Sequence, residues 1–436
     1  MSSAKNKKVL IITYYWPPSG GAGVQRWLKF TKYLPEYGWE PIIYTPDNGE
    51  IPVIDESLQK DISQETTVIK RKIWEPYIWY KKFIGQKNNQ KINVGFLSEG
   101  KKPKFTEKIS VWIRGNFFIP DARKFWIKPS IKFLLKYLTN NPVDIIISTG
   151  PPHSMHLIAM QLQKKLNIPW IADFRDPWTN IDFYNDLLLT KLANRKHHKL
   201  EKKVLQNANY ILSVGETLKN EFLKLGATDV KIITNGFDNS DINNSNISLD
   251  KKFSIVHIGS MPKSRNPEIL WKTLGKLVTT NNDFAKYLEI KLVGKCDYSV
   301  TNSLEKHNLI NFVNKVDYVS HDKISTIQQS AQILLLVINQ TKNAKGILTG
   351  KFFEYMASKR PILAIGPTDG DAAKILDETN AGVIIDFNDS KKIENTLLSF
   401  FEKYKNSDLS IESNNIDKYS RKNLTSELAN TLNSIT

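Results

Sequence analysis

The stretch KVLIITYYWPPSGGAGVQRWLKFTKYL, residues 8–34, decides the fold. Residues 8–13 are a short apolar run, the pattern of a strand buried on both faces. Residues 14–23 then carry two prolines and three glycines, which mark a loop. From Val24 the apolar positions take helical spacing, with Trp27, Phe30 and Leu34 on one side. Strand, glycine-rich loop and helix make the opening unit of a doubly wound sheet. Gly20, Gly21 and Gly23 let backbone N–H groups come close to an anion or a sugar. The spacing is not the dinucleotide fingerprint G-x-G-x-x-G, and the second strand, residues 40–46, leads to Asp47 in a Pro/Asn/Gly turn. Both points argue against an NAD enzyme.

The pattern recurs further along. Residues 253–258 read as a strand, GSMPKSRNP (259–267) as a loop and 268–279 as a helix. Two such openings in 436 residues predict two similar α/β domains. The expected bounds are 1–238 for the first, an Asn/Ser/Asp-rich linker at 239–250, and 251–415 for the second. A final helix in 416–436 is free to pack back onto the first domain. Arg265 stands just before the helix of the second opening, where a guanidinium can hold a diphosphate with two bonds.

A third stretch, KGILTGKFFEYMASKRPILAIG (345–366), reads as turn, helix and strand. Pro361 disfavours helix at Arg360 and so ends it. A lysine in the first helical turn opposes the helix dipole unless an anion sits there. Gly350 and Lys351 are thus candidates for a phosphate site, and Glu354, one turn on, for sugar hydroxyls. An exposed Lys351/Glu354 pair on an ordinary helix is the competing reading. Tyr318, just before a helix at 321–330, is a candidate to line a base.

In the first half, residues 143–149 form a strand followed by Gly150-Pro151-Pro152-His153. The carboxyl edge of an open α/β sheet is where ligands bind, so His153 is a candidate for acceptor binding or proton transfer. The next strand, at 170–172, runs into Asp173-Phe174-Arg175-Asp176. Charges at a strand end are costly unless they face a polar cleft. A site role is therefore favoured for Asp173, Arg175 and Asp176 over a structural salt bridge.

The net charge of +17 is unevenly placed: residues 70–128 hold 15 Lys or Arg against 4 Asp or Glu. Lysines interleaved with Trp74, Trp79, Trp112 and Trp126 suit an anionic membrane surface, set against a solvated face with the aromatics packed inward. No nucleic-acid motif is present, so nucleic acid is not an expected partner. A single cysteine, Cys296, forbids an intramolecular disulfide. With no secretory signal or membrane span in view, a cytoplasmic chain is expected, peripheral at most on the inner face of the cytoplasmic membrane.

Taken together, YYWPPSGGAGVQRWLKF, STGPPHS, DFRDPW, TNGFD, HIGSMPKSRNP and TGKFFEYMASKRPILAIG resemble the large retaining, nucleotide-sugar-dependent glycosyltransferase family with the GT-B fold, family 4-like. The resemblance implies two Rossmann-like doubly wound domains facing across a cleft. It implies a sugar passed from a nucleotide-diphosphate sugar to a glycan or polyprenyl-linked acceptor in cell-envelope polysaccharide synthesis, with retention and without a cofactor. It carries Gly21, Gly23, Gly259, Ser260, Arg265, Tyr318, Gly350, Lys351 and Glu354 to the donor side. Arg265 would bind the diphosphate and Glu354 the ribose or nearby hydroxyls. Three positions depart from the family pattern. Gly346 stands where the first of two glutamates is usual, Ser260 where an arginine is usual, and Arg175 where a histidine is common. Lys351 would restore the missing positive charge. No Asp-x-Asp metal motif is read, and protein cations take the place of a divalent ion. Two other classes share the architecture, a non-catalytic sugar- or partner-binding protein and a nucleotide-sugar epimerase.

Overall fold

The computed structural model describes residues 6–51, 53–75, 105–242, 247–317 and 319–436. The chain divides into two compact units. One runs to Thr234 and includes Arg421–Thr436; the other holds Asn235–Ser420.

The sheet of the first unit has seven strands: β1 (Lys7–Ile12), β2 (Trp39–Pro46), β3 (Thr67–Arg71), β4 (Ile145–Gly150), β5 (Trp170–Phe174), β6 (Tyr210–Ser213) and β7 (Val230–Ile232). Their order is β3-β2-β1-β4-β5-β6-β7, and every pairing is parallel. The order reverses between β1 and β4, which makes their carboxyl ends the switch point where a doubly wound sheet binds ligands. Successive side chains of β1 feed opposite cores. Leu10 and Ile12 pack with Trp126, Met155 and Trp170, while Val9 and Ile11 pack with Val24, Trp27 and Leu28. That is why the run is apolar throughout: both of its faces are covered. The second of these cores is closed by the chain's last helix, Arg421–Asn433, through Leu424, Leu428 and Leu432.

The second unit has six strands: β8 (Phe253–Ile258), β9 (Leu288–Val293), β10 (Val313–Val316), β11 (Ile333–Val337), β12 (Ile362–Ile365) and β13 (Gly382–Ile385). They are ordered β10-β9-β8-β11-β12-β13, again all parallel, with the switch point between β8 and β11. The expected turn, helix and strand at 345–366 is present as the helix Gly350–Ala357 followed by β12. In the candidate linker, Asn239–Asp241 forms a single 3-10 turn, and Phe237, just before it, belongs to the core of the second unit with Tyr419. Residues 243–246 lie outside the described residues. Helices not anticipated from the sequence occupy Asn282–Tyr287, Tyr298–Lys306 and Asp371–Thr379.

Candidate functional site

The switch point of the second unit gathers most of the candidate donor residues. β8 ends at Ile258, whose backbone N–H donates to the Tyr355 hydroxyl at 2.9 Å. This bond ties the strand to the helix Gly350–Ala357. Gly259 follows with φ +105°, a left-handed backbone, and a Cβ built there would lie 3.1 Å from Lys351 Nζ. Its backbone thus approaches the lysine as only glycine allows. The loop after it is fastened by Asn266, whose side chain donates to Ser303 Oγ at 2.8 Å and accepts from Trp271 Nε1 at 2.8 Å. Gln340 N–H donates to Ser264 O at 2.8 Å, pinning the loop to the end of β11. Arg265 is oriented in turn: its Nε donates to Asn339 Oδ1 and its Nη1 to Ser260 O at 3.4 Å.

Opposite this loop is the amino end of the helix Gly350–Ala357. Thr349 holds the capping position, yet its side chain makes no capping bond, and its buried hydroxyl has no hydrogen-bond partner. The Lys351 ammonium is likewise buried without a hydrogen-bond partner. Burial, and after it the charge of Arg265, lowers the Lys351 pKa to about 7, with Glu354 opposing. The same two cations, after burial itself, keep His257 neutral, well below its ordinary value. Glu354 accepts from Gln328 Nε2 at 3.3 Å through one oxygen. Uncapped helix amides, a hydroxyl and two cations meeting at one point are the donor set for a phosphate. The competing reading of Lys351 as an exposed surface lysine does not survive its buried ammonium.

Gly259, Ser260, Arg265, Gly350, Lys351 and Glu354 are therefore together, while Gly21 and Gly23 belong to the first unit and Tyr318 lies outside the described residues. Gly346 ends the 3-10 turn Ala344–Gly346 and offers no carboxylate. The reading of no Asp-x-Asp motif needs correction: Asp369-Gly370-Asp371 has that spacing. Asp369 is taken by Lys345 in an exposed ion pair at 2.5 Å. Among the described residues no group of three His, Cys, Asp or Glu is placed to share a metal.

In the first unit the four candidates separate. Asp173 is fully buried and does not face a polar cleft, contrary to the expectation for a strand end. Its carboxylate pairs with Arg26 Nη2 at 2.9 Å and accepts from Trp27 Nε1 and Thr149 Oγ1, both at 2.8 Å. Arg26 also donates to Ile233 O and Thr234 O, both at 2.8 Å. The site role favoured for Asp173 thus gives way to a satisfied ion pair joining the first helix to β5. Arg26 was the missed partner, since nothing in sequence spacing links positions 26 and 173.

Arg175 sits at the switch point. It donates to Gly23 O at 3.0 Å and to Pro151 O, joining the first turn of the helix Ala22–Tyr33 to the loop after β4. A Cβ on Gly23 would come within 2.9 Å of Arg175 Nη1 and 3.1 Å of the Tyr15 ring, so a larger residue there would shift the arginine. His153 is buried, with its ring stacked flat on Trp178 at 4.5 Å. Its Nδ1 has no partner, and burial with the charges of His156 and Arg175 holds it neutral. Asp176 is exposed. A small cavity beyond the carboxyl ends of β1 and β2 is lined by Tyr15, Trp16, Asp47, Glu50 and Lys70, among others. Its wall is braced by Glu75, which accepts from Tyr14 at 2.8 Å and pairs with Arg123 at 3.1 Å.

Two doubly wound parallel sheets in one chain define the GT-B class, and the solved structures of that class bear this out. The chain is similar to sucrose-phosphate synthase from Thermosynechococcus elongatus at 13% identity, with TM-score 0.60 and 98% of each chain covered. It is similar to a point mutant of TarM from S. aureus, in complex with fondaparinux, α-GlcNAc-glycerol and UDP, at 15% identity and TM-score 0.59, covering 98% of this chain and 100% of that one. It is also similar to WaaG, a glycosyltransferase involved in lipopolysaccharide biosynthesis, at 12% identity and TM-score 0.58, covering 97% and 99%. The sequence profile of Glycosyltransferase Family 4 matches residues 88–241. The chain thus has the GT-B fold and, over that stretch, the family 4 sequence pattern. No curated protein matches it.

Proposed function

We propose that the protein is a retaining glycosyltransferase. It moves a sugar from a nucleotide-diphosphate sugar to a glycan or polyprenyl-linked acceptor in cell-envelope polysaccharide synthesis. One observation carries the reading: the buried Lys351 ammonium, with no hydrogen-bond partner, beside Arg265 at an uncapped helix start. Glu354 offsets only part of the cost of burying that ammonium beside Arg265, and a diphosphate is a ligand that would offset the rest. The family 4 profile supports the assignment, as do the UDP of the TarM complex and the lipopolysaccharide role of WaaG.

In this reading Arg265, Lys351, Thr349 Oγ1 and the first amides of the helix bind the diphosphate, and Glu354 takes hydroxyls of the nucleotide. As the bond from the anomeric carbon to the phosphate oxygen breaks, the electron pair goes to the diphosphate. Its growing charge meets cations already fixed in place. The acceptor oxygen bonds to that carbon on the same face, and its proton passes to the leaving phosphate or to solvent. No divalent ion is needed for the charge. Arg175 acts as a positioning residue for the loops at the first unit's switch point, and His153, neutral and lacking a partner at Nδ1, is the candidate proton acceptor or acceptor ligand there.

The experiment is thermal stability against a panel of nucleoside diphosphates and nucleotide sugars, for the native chain and for Arg265→Ala, Lys351→Met and Glu354→Ala. A ligand that binds only the folded state raises the melting temperature. A rise with one nucleoside diphosphate, lost in Arg265→Ala and Lys351→Met, is the expected result; no rise with any nucleotide sinks the donor site. Gly346, with no side chain to hold the sugar, favours one second reading, a binding protein that takes the nucleotide without turnover. Release of free nucleoside diphosphate from a nucleotide sugar separates the two.

A further inference from the structure

The cavity beyond the carboxyl ends of β1 and β2 has no part in the donor site. The loop after β1 lines it with Trp16, Pro17, Pro18 and Ser19, and the loop after β2 with Asp47 and Ile51. Two of these residues carry buried polar groups with no hydrogen-bond partner among the described residues, Trp16 Nε1 and Ser19 Oγ. Trp16 is 4% exposed and Ser19 2%. An indole N–H can only donate, and a buried donor without an acceptor is costly.

Neither group is free to turn away, because the two loops are bonded to each other on both sides of Ser19. The Gly20 N–H donates to Val53 O at 2.8 Å and the Asp55 N–H to Pro18 O at 2.9 Å. Within the first loop the Ser19 N–H donates to Trp16 O at 3.0 Å. A Cβ on Gly20 would lie 2.9 Å from the Asp55 Cβ, so the loops are in close contact there. Further along, the Glu50 N–H donates to the Tyr14 hydroxyl at 2.7 Å and to Glu75 at 3.0 Å. The donors are thus fixed before any ligand arrives, and a preorganised site loses little freedom on binding.

Size and chemistry narrow the ligand. The cavity volume is about 40 Å³. At roughly 10–15 Å³ for each water-sized group, that is room for about three non-hydrogen atoms. A sugar ring does not fit, but a substituent on one does. The two unpartnered groups call for an oxygen acceptor. Pro17, Pro18 and Ile51 offer apolar surface to a methyl group, and the exposed Asp47 offers a carboxylate to an N–H. The carboxylates of Asp47 and Glu50 outnumber the one lining cation, Lys70, which disfavours an anionic substituent. An acetamido group combines these parts: a carbonyl oxygen, a methyl and an amide N–H.

We propose that this cavity is a subsite for the acetamido group of an N-acetylamino sugar. The carbonyl oxygen accepts from Trp16 and Ser19, and the methyl packs on the prolines. This deepens the reading of a glycan or polyprenyl-linked acceptor, and rests on it for the role of the sugar. Binding itself needs no nucleotide, so it can be measured without a donor.

The test follows the indole N–H resonances of the chain's ten tryptophans by NMR, with Trp16 assigned as the one missing from Trp16→Phe. The probes are the methyl glycosides of glucose and galactose, of glucosamine and galactosamine, and of their N-acetyl forms. An N-acetyl sugar should shift the Trp16 resonance saturably, and the parent sugars and free amines should not. Saturation transfer from the protein should reach the acetyl methyl. Trp16→Phe and Ser19→Ala should each weaken binding about fivefold or more and keep the nucleotide-induced rise in melting temperature. Ser19→Ala removes a single hydroxyl, so it tests the subsite even where Trp16→Phe lowers stability. No saturable shift with either N-acetyl sugar overturns the proposal and leaves the cavity to water only. An equal shift with the parent sugars overturns it too, as do variants that bind like the native chain. A nucleotide-induced rise in a chain that binds no N-acetyl sugar is failure of this subsite alone. N-acetyl sugar binding without that rise is failure of the donor site, and the subsite stands.

Discussion

At the residue scale the chain sets two buried charges to opposite uses. Asp173 is buried with every partner in place, and Arg26 holds its carboxyl below the ordinary value against the penalty of burial. Asp173→Asn would leave Arg26 without a counter-ion, at a cost of about 3–5 kcal/mol by urea unfolding. Because the folded pKa is depressed, this stabilisation is present above the unfolded value and is lost as pH falls below it. Lys351 is the reverse case, a buried cation that the unliganded fold does not satisfy. Its pKa of about 7 lies below the unfolded value, which is about 10.4 for lysine. Between the two the unfolded chain holds a proton that the folded chain has lost, so stability rises with pH across that window. The native chain should therefore gain melting temperature relative to Lys351→Met from about pH 7 to about pH 10. Nucleoside diphosphate binding should move the other way. It should weaken as pH rises through the same range and take up a proton, detectable as a buffer-dependent heat in calorimetry. A flat difference curve for Lys351→Met would contradict the assignment.

At the scale of elements, the helix Gly350–Ala357 shows how a short segment is fixed against a neighbouring strand. Phe352, Phe353, Tyr355 and Met356 bury one face, and Tyr355 bonds the strand beside it. The amino end is left uncapped at a strand-end glycine whose backbone is left-handed. Gly259→Ala forces a side chain into that conformation at about 1–2 kcal/mol, and it also puts a methyl against Lys351. The expected outcome is a modest loss of melting temperature and a complete loss of the nucleotide-induced rise. A normal ligand shift in that variant would mean that the loop does not touch the nucleotide. The turn, helix and strand order at 345–366 was legible because its signals are local: a polar turn, an apolar stripe and a proline. That Lys351 is buried was not legible, because its burial depends on Gly259 and on the loop carrying Arg265, nearly a hundred residues earlier in the chain.

At the scale of the molecule, the last helix is covalently an extension of the second unit but packs in the first. Each of Leu424, Leu428 and Leu432, fully or nearly fully buried, contributes about 1.5–3 kcal/mol by leaving water. Deleting residues 421–436 should lower the first unit's unfolding temperature sharply, while the nucleotide-induced rise in the second unit persists. Loss of both together would mean that the units unfold as one. The doubly wound architecture was readable because each strand, glycine loop and helix is written in consecutive residues whose apolar period switches once. Gly350 and Lys351 could be picked as phosphate candidates for the same reason, since they lie at a helix start, whereas Arg265 precedes a different helix. The alternating charges Asp173-Phe174-Arg175-Asp176 misled, because sequence cannot say that Asp173 meets Arg26 across the sheet while Arg175 turns to Gly23 and Pro151. Nor does any local signal join Trp16 and Ser19 to Asp47 and Ile51. By itself, then, the sequence determined most of the elements, the parallel class and a set of candidate positions for an anion. The tertiary structure alone decided which charges are neutralised inside the protein and which are left for a partner, because pairing is a matter of distance in space and the chain brings remote residues together only when it folds.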